Sequence, residues 1–171
     1  MNLWFGHNHL SWQLLDTLDL DDSNIHSLET FIFDGLTDLL TFKLSNNSLM
    51  LLPDRVFNGL TNLDSLELSQ NKLFHLEENT FEGLKNLAHL DISFNKLNYL
   101  PENIFKGLRN LNQLNLISNQ LLSLPDRIFA DLDNLILLRY EDNHMKIKEI
   151  HFRNLNDLDY DLFDVLSNGY I

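Results

Sequence analysis

The sequence predicts an α/β repeat solenoid: a curved, horseshoe-like segment with a parallel β-sheet on its concave face and short helical or irregular turns on its convex face. Three observations predict it. A phrase of 24 residues, Leu-x-x-Leu-x-x-Leu-x-Leu-x-x-Asn-x-Leu-x-x-Leu-Pro-x-x-x-Phe-x-Gly, recurs with no gap, and self-similarity at such a period marks a stack of identical supersecondary units. Inside each copy a segment such as Leu66-Glu67-Leu68 or Leu90-Asp91-Ile92 alternates apolar and polar residues, the pattern of a short strand with one buried face. Asn and Phe return at fixed places in successive copies, as residues do when they stack in columns.

Taken in order, 1–11 reads as a degenerate N-terminal repeat. Leu3 to Leu10 fits Leu-x-Leu-x-x-Asn-x-Leu, but Leu3 lies only 15 residues before Leu18, too few for a full turn. The copy at 12–35 keeps Leu15, Leu18, Leu20, Ile25, Leu28 and Phe33, with Ser23 in the Asn slot. Full repeats follow at 36–59, 60–83, 84–107 and 108–131. The next, 132–154, keeps Leu135, Leu138, Tyr140, Asn143 and Met145 and then decays, because Phe152 arrives one residue early. In 155–171, Leu155, Leu158, Leu162 and Leu166 recur at helical spacing, with Asp157 and Asp159 in the first turn and Asn168-Gly169 as a stop. That predicts a capping helix; a further irregular repeat with a strand at 158–160 is the alternative. No linker breaks the array, so 1–171 reads as one domain.

Asn47, Asn71, Asn95, Asn119 and Asn143 each follow a strand where the chain turns inward. A buried amide there has to bond the backbone of its own and neighbouring turns, because an unpaired buried polar group costs about 1–3 kcal/mol. Phe33, Phe57, Phe81, Phe105 and Phe129 predict a second column that fills the convex side.

These residues are the leucine-rich repeat signature. Over 12 to about 154 the chain resembles the 24-residue type common in extracellular animal proteins such as Toll-like receptors and insect leucine-rich immune proteins. The resemblance implies a non-enzymatic protein-recognition module, secreted or part of an ectodomain, with a role in ligand binding or innate immune recognition. It leaves the ligand to residues outside the signature. The sharpest departure is the lack of Cys, since extracellular members usually seal both ends of the core with disulfide-stapled caps. Two explanations compete: a stretch of a longer extracellular protein, which the truncated repeat at 1–11 favours, or an intracellular, cytoplasmic protein with Cys-free ends. Uncapped ends suggest an alternative role, a structural or assembly unit that associates end to end. The first eleven residues lack the basic start and long apolar run of an export signal.

The formal charge is −13. Both nucleic acid and anionic membrane reward clustered Lys and Arg, so the charge points to a basic or mixed-charge protein partner and away from those two. No segment is apolar enough to insert into a bilayer. Catalytic constellations and cofactor motifs are missing: no Cys nucleophile, no Gly-rich phosphate loop and no His-Glu-x-x-His pair. His7 with His9, and the acidic run Asp19, Asp21 and Asp22, are too poor in ligands to expect a metal.

The candidate partner-binding residues are therefore those that point outward from the concave sheet: Lys43, Glu67, His89, Asp91, Phe94, Asn115, Ile117 and Arg139. Asp19, Lys43, Glu67, Asp91, Asn115 and Arg139 are the central outward residues of six strands about 4.8 Å apart. Phe94, Ile117 and Arg139 supply the aromatic, aliphatic and Arg anchors that dominate interfaces. One sequon, Asn46-Asn47-Ser48, marks Asn46 as an acceptor for an N-linked glycan should the chain be secreted.

Overall fold

A computed structural model of the chain describes residues 15–145. The degenerate repeat at 1–11, the decay at Phe152 and the capping helix expected over 155–171 lie outside the described residues. Six three-residue strands appear: β1 (Thr17–Asp19), β2 (Thr41–Lys43), β3 (Ser65–Glu67), β4 (His89–Asp91), β5 (Gln113–Asn115) and β6 (Leu137–Arg139). They form one parallel sheet in the order β1-β2-β3-β4-β5-β6. Each strand pairs with the next at a register of one repeat, so Leu18, Phe42, Leu66, Leu90, Leu114 and Leu138 line up as the central, buried row.

The strands begin one residue earlier than the Leu-x-Leu reading. Leu66, not Glu67, is the middle of β3, and the inter-turn bonding continues beyond it as Leu68 N–H donates to Asp91 C=O at 2.8 Å. On the convex side the described residues turn rather than wind into helices. Each passage closes through bonds between residues three apart, such as Val56 N–H to Pro53 C=O at 3.1 Å and Asn58 N–H to Arg55 C=O at 2.9 Å. So few residues separate Pro53 from Phe57 that an α-helix could not pass its costly first turn.

The aromatic column fills that side. Phe33, Phe57, Phe81, Phe105 and Phe129 stack with centroids 6.3, 6.2, 6.4 and 6.3 Å apart and planes within 11° of parallel. Phe42 replaces a strand Leu and meets Phe33 edge-on at 4.6 Å and 80°. The larger ring thus locks the second turn to the column.

The amides that follow the strands tie the turns together. Asn71 accepts from Leu49 N–H at 3.0 Å and donates to Leu44 C=O at 2.9 Å and Leu68 C=O at 3.1 Å. Asn47, Asn95, Asn119 and Asn143 repeat that pattern. Ser23, in the first turn, reaches only Asp21 C=O, at 3.1 Å. A second amide series stands on the opposite flank. Asn62, Asn86, Asn110 and Asn134 donate to the C=O of Thr37, Thr61, Lys85 and Arg109 at 2.8–2.9 Å. Gly83 closes its turn at φ +92°, a left-handed conformation, where an added Cβ would come within 3.0 Å of Asn58 Oδ1.

Candidate functional site: the concave face

Because the middle residue of each strand points into the core, both of its neighbours face the other way. The concave face therefore carries two outward strand rows. One is Asp19, Lys43, Glu67, Asp91, Asn115 and Arg139; the other is Thr17, Thr41, Ser65, His89, Gln113 and Leu137. Of the second row only His89 stands out in a reading of charge and motif. The signal for the rest was the period-two alternation itself, which puts i and i−2 on one face.

Between β3 and β6 the two rows enclose an open groove of about 270 Å³, lined by Glu67, His89, Asp91, Asn115, Leu137 and Arg139 over a floor of Leu66, Leu90 and Leu114. Five of the eight candidate residues thus share one depression. Lys43 stands one strand away, 3.7 Å from Asp19. Phe94 and Ile117 follow β4 and β5 in the chain and do not line the groove.

Inside the groove the polar groups are partly committed to each other. Asp91 accepts from Ser93 N–H at 2.9 Å, Ser93 Oγ–H at 2.6 Å and Asn115 Nδ2–H at 3.2 Å. Asn115 in turn accepts from Ile117 N–H at 3.2 Å. His89 Nδ1 lies 3.5 Å from Asp64 Oδ2. Burial pushes the Glu67 carboxyl above its ordinary value; Lys43 opposes that shift, and Asp21, Asp91 and Asp19 add to it. Burial, aided by Glu141, likewise raises Tyr140. Arg139 is exposed and in no ion pair among the described residues.

The acidic run at the N-terminal end is held by protein donors. Asp19 accepts from Asp21 N–H at 3.1 Å, Asp21 from Ser45 N–H at 2.6 Å and Asp22 from the Asn46 amide. Asn46 is exposed, at φ 53°. Phe94 occupies the equivalent left-handed position two turns on, at φ 52°, with 53% of its surface exposed. Ile117 is half-buried.

A larger hollow of about 370 Å³ lies on the convex side, among Glu78, Glu82, Lys85, Asn103 and Lys106. Two of its carboxylates are bonded, Glu78 by Asn103 and Glu82 by Arg55, each at 2.6 Å. The concave face, by contrast, carries Arg139, in no ion pair among the described residues, and the exposed ring of Phe94 two turns away.

A family model described as leucine rich repeat matches residues 13–73 and 61–121. Among solved structures, the Toll–Spatzle complex of Drosophila is similar at 28% identity and a TM-score of 0.60, over 74% of this chain and 20% of that one. TLR13 in its complex with ssRNA13 is similar at 30% identity and a TM-score of 0.72, over 77% of this chain and 19% of that one. The chain spans about a fifth of the length of each of these structures. A search of curated proteins finds no significant match. Since one neighbour is an RNA complex, the exclusion of nucleic acid drawn from net charge finds no support in these likenesses. The fold is that of a protein-interaction repeat module similar to Toll-like receptor ectodomains. With the family match running from 13 to 121, more than half of its 171 residues, the chain belongs to the leucine-rich repeat family.

Proposed function

We propose that the chain is a non-enzymatic recognition module that seats a protein of basic or mixed charge on its concave face, in an extracellular or lumenal setting. Asp91, Phe94, Asn115, Ile117 and Arg139 form the contact patch on β4, β5, β6 and their following turns. Phe94 carries this reading: a bulky ring, half exposed, in a left-handed conformation that five polar residues occupy elsewhere in the array. Strain of that kind persists at functional positions when the surroundings hold it there. The carboxylates of the groove, Glu67 and the bonded Asp91, supply shape and field, while Phe94 and Arg139 supply the anchors. Toll, similar to this chain, is seen with the protein Spatzle, which supports a protein ligand.

In a secreted chain Asn46 carries the N-linked glycan. Two turns separate it from Phe94, so the sugar shields the acidic end of the face and leaves the patch open. Expression through a secretory pathway should give a glycosidase-sensitive mass increment that Asn46→Gln abolishes. A photo-cross-linking residue in place of Phe94 should capture a partner protein, and the same residue in place of Lys106 on the convex side should not. Capture at Lys106 alone overturns the concave reading.

A further inference from the structure

Five of the large apolar side chains left exposed gather on one flank of the solenoid: Met50, Leu51, Phe74, Tyr99 and Leu122, each 48 to 66% exposed. They occupy two adjacent positions of the repeat, just past the inward-turning Asn, in four successive turns. Scattered exposed apolar residues are ordinary, but a contiguous stripe is not. The backbone beneath it is ordered from turn to turn, with Lys72, Lys96 and Gln120 N–H donating to Leu49, Leu73 and Leu97 C=O at 2.8–2.9 Å.

Charge borders the stripe unequally. On its concave side stand Lys72 and Lys96; on its convex side one repeat position carries Asp54, Glu78, Glu102 and Asp126, and all six are exposed. Among the described residues none of them is in an ion pair. A partner that fits must have an apolar strip with acid on one side and base on the other, and this chain has that surface itself.

We propose that the flank is the interface of a two-fold dimer with a second copy of this chain, the two solenoids running in the same direction. A two-fold axis along the stripe exchanges its sides, so the Lys side of each copy meets the acidic side of the other. An axis across the stripe would set Lys on Lys and acid on acid. End-to-end stacking would leave the stripe in water. The apolar contact supplies adhesion, and the charges select the orientation. Both concave faces stay open, facing opposite ways, so the dimer stands whether or not the concave patch binds a protein.

Sedimentation equilibrium of the full chain across a concentration series tests this. Wild-type mass should rise from 20.0 kDa to twice that value and stop. Lys72→Glu with Lys96→Glu, and separately Glu78→Lys with Glu102→Lys, should each weaken the dimer by at least about tenfold, which is about 1.4 kcal/mol. An equimolar mixture of the two variants should dimerise again, because every cross-contact then pairs opposite charges. Far-UV circular dichroism establishes that each variant is folded, and Phe74→Ser serves in place of one that is not. Monomer mass at all concentrations, growth beyond two copies, undiminished dimerisation of the charge variants, or a mixture that fails to recombine would each overturn the proposal.

Discussion

At residue scale the informative position is the one before each inward-turning Asn. Asp22, Asn46, Gln70, Phe94, Ser118 and Asp142 all adopt φ between 52° and 55°. Asp and Asn tolerate that conformation, whereas for most L-residues it costs about 1–2 kcal/mol. Phe94→Asn should therefore raise the urea midpoint, by the equivalent of about 0.5–1 kcal/mol. A lower midpoint would mean that the ring stabilises the fold by packing and is no spare anchor. Glu67 makes a second, pH-dependent statement. Its folded pKa is raised, so the folded chain holds the proton more tightly than the unfolded one, and stability falls as pH rises from the ordinary value of 4.5 through the raised one. Glu67→Gln should overtake the wild type in urea midpoint above that window and lose its advantage below it. A gap that does not change with pH would show that the carboxylate is solvated. Neither feature was legible in the sequence: the left-handed turn leaves no compositional mark when Phe and Gln occupy it, and the Glu67 shift depends first on burial and then on charges 24 to 48 residues away.

The elements are short, and their stability comes from repetition. A three-residue strand has too few bonds to stand alone, and each one here is bonded to its copy in a neighbouring turn. Asn95 is buried and bonds Leu73 N–H, Leu68 C=O and Ile92 C=O at 3.0–3.1 Å, whereas the exposed Asn62 donates once, to Thr37 C=O. Asn95→Ala should thus cost more than about 2 kcal/mol, since it orphans buried backbone groups, and Asn62→Ala less than about 1. Equal losses in chemical denaturation would contradict the division of labour between the two series. The Asn and Phe columns were plain from period and chemistry together. The Asn62 series obeys the same period but carries no signal of its own, because an amide in a polar loop resembles any solvated residue. The strands lie one residue earlier than Leu-x-Leu suggests because that pattern marks buried positions, and the second Leu falls just past the strand although its N–H still bonds the next turn.

For the whole molecule, a 24-residue period with one buried row per strand leaves the described residues no other architecture than a stacked parallel sheet, and family and neighbours agree with it. The binding surface is less legible. Repetition dictates the scaffold, while function resides where copies differ, and a difference at one position looks the same whether it meets a partner or water. Asp91 and Asn115 bond each other, whereas Arg139 is in no ion pair among the described residues and Phe94 is exposed. The most direct measurement is the dissociation constant of a captured protein partner for four chains: wild type, Phe94→Ala with Arg139→Ala, Glu82→Ala with Lys106→Ala, and all four changes together. Loss of more than about 2 kcal/mol in the concave pair, with the convex pair near wild type and the quadruple variant no worse than the concave pair, is the expected result. Loss in the convex pair with the concave pair silent would contradict recognition on the concave face.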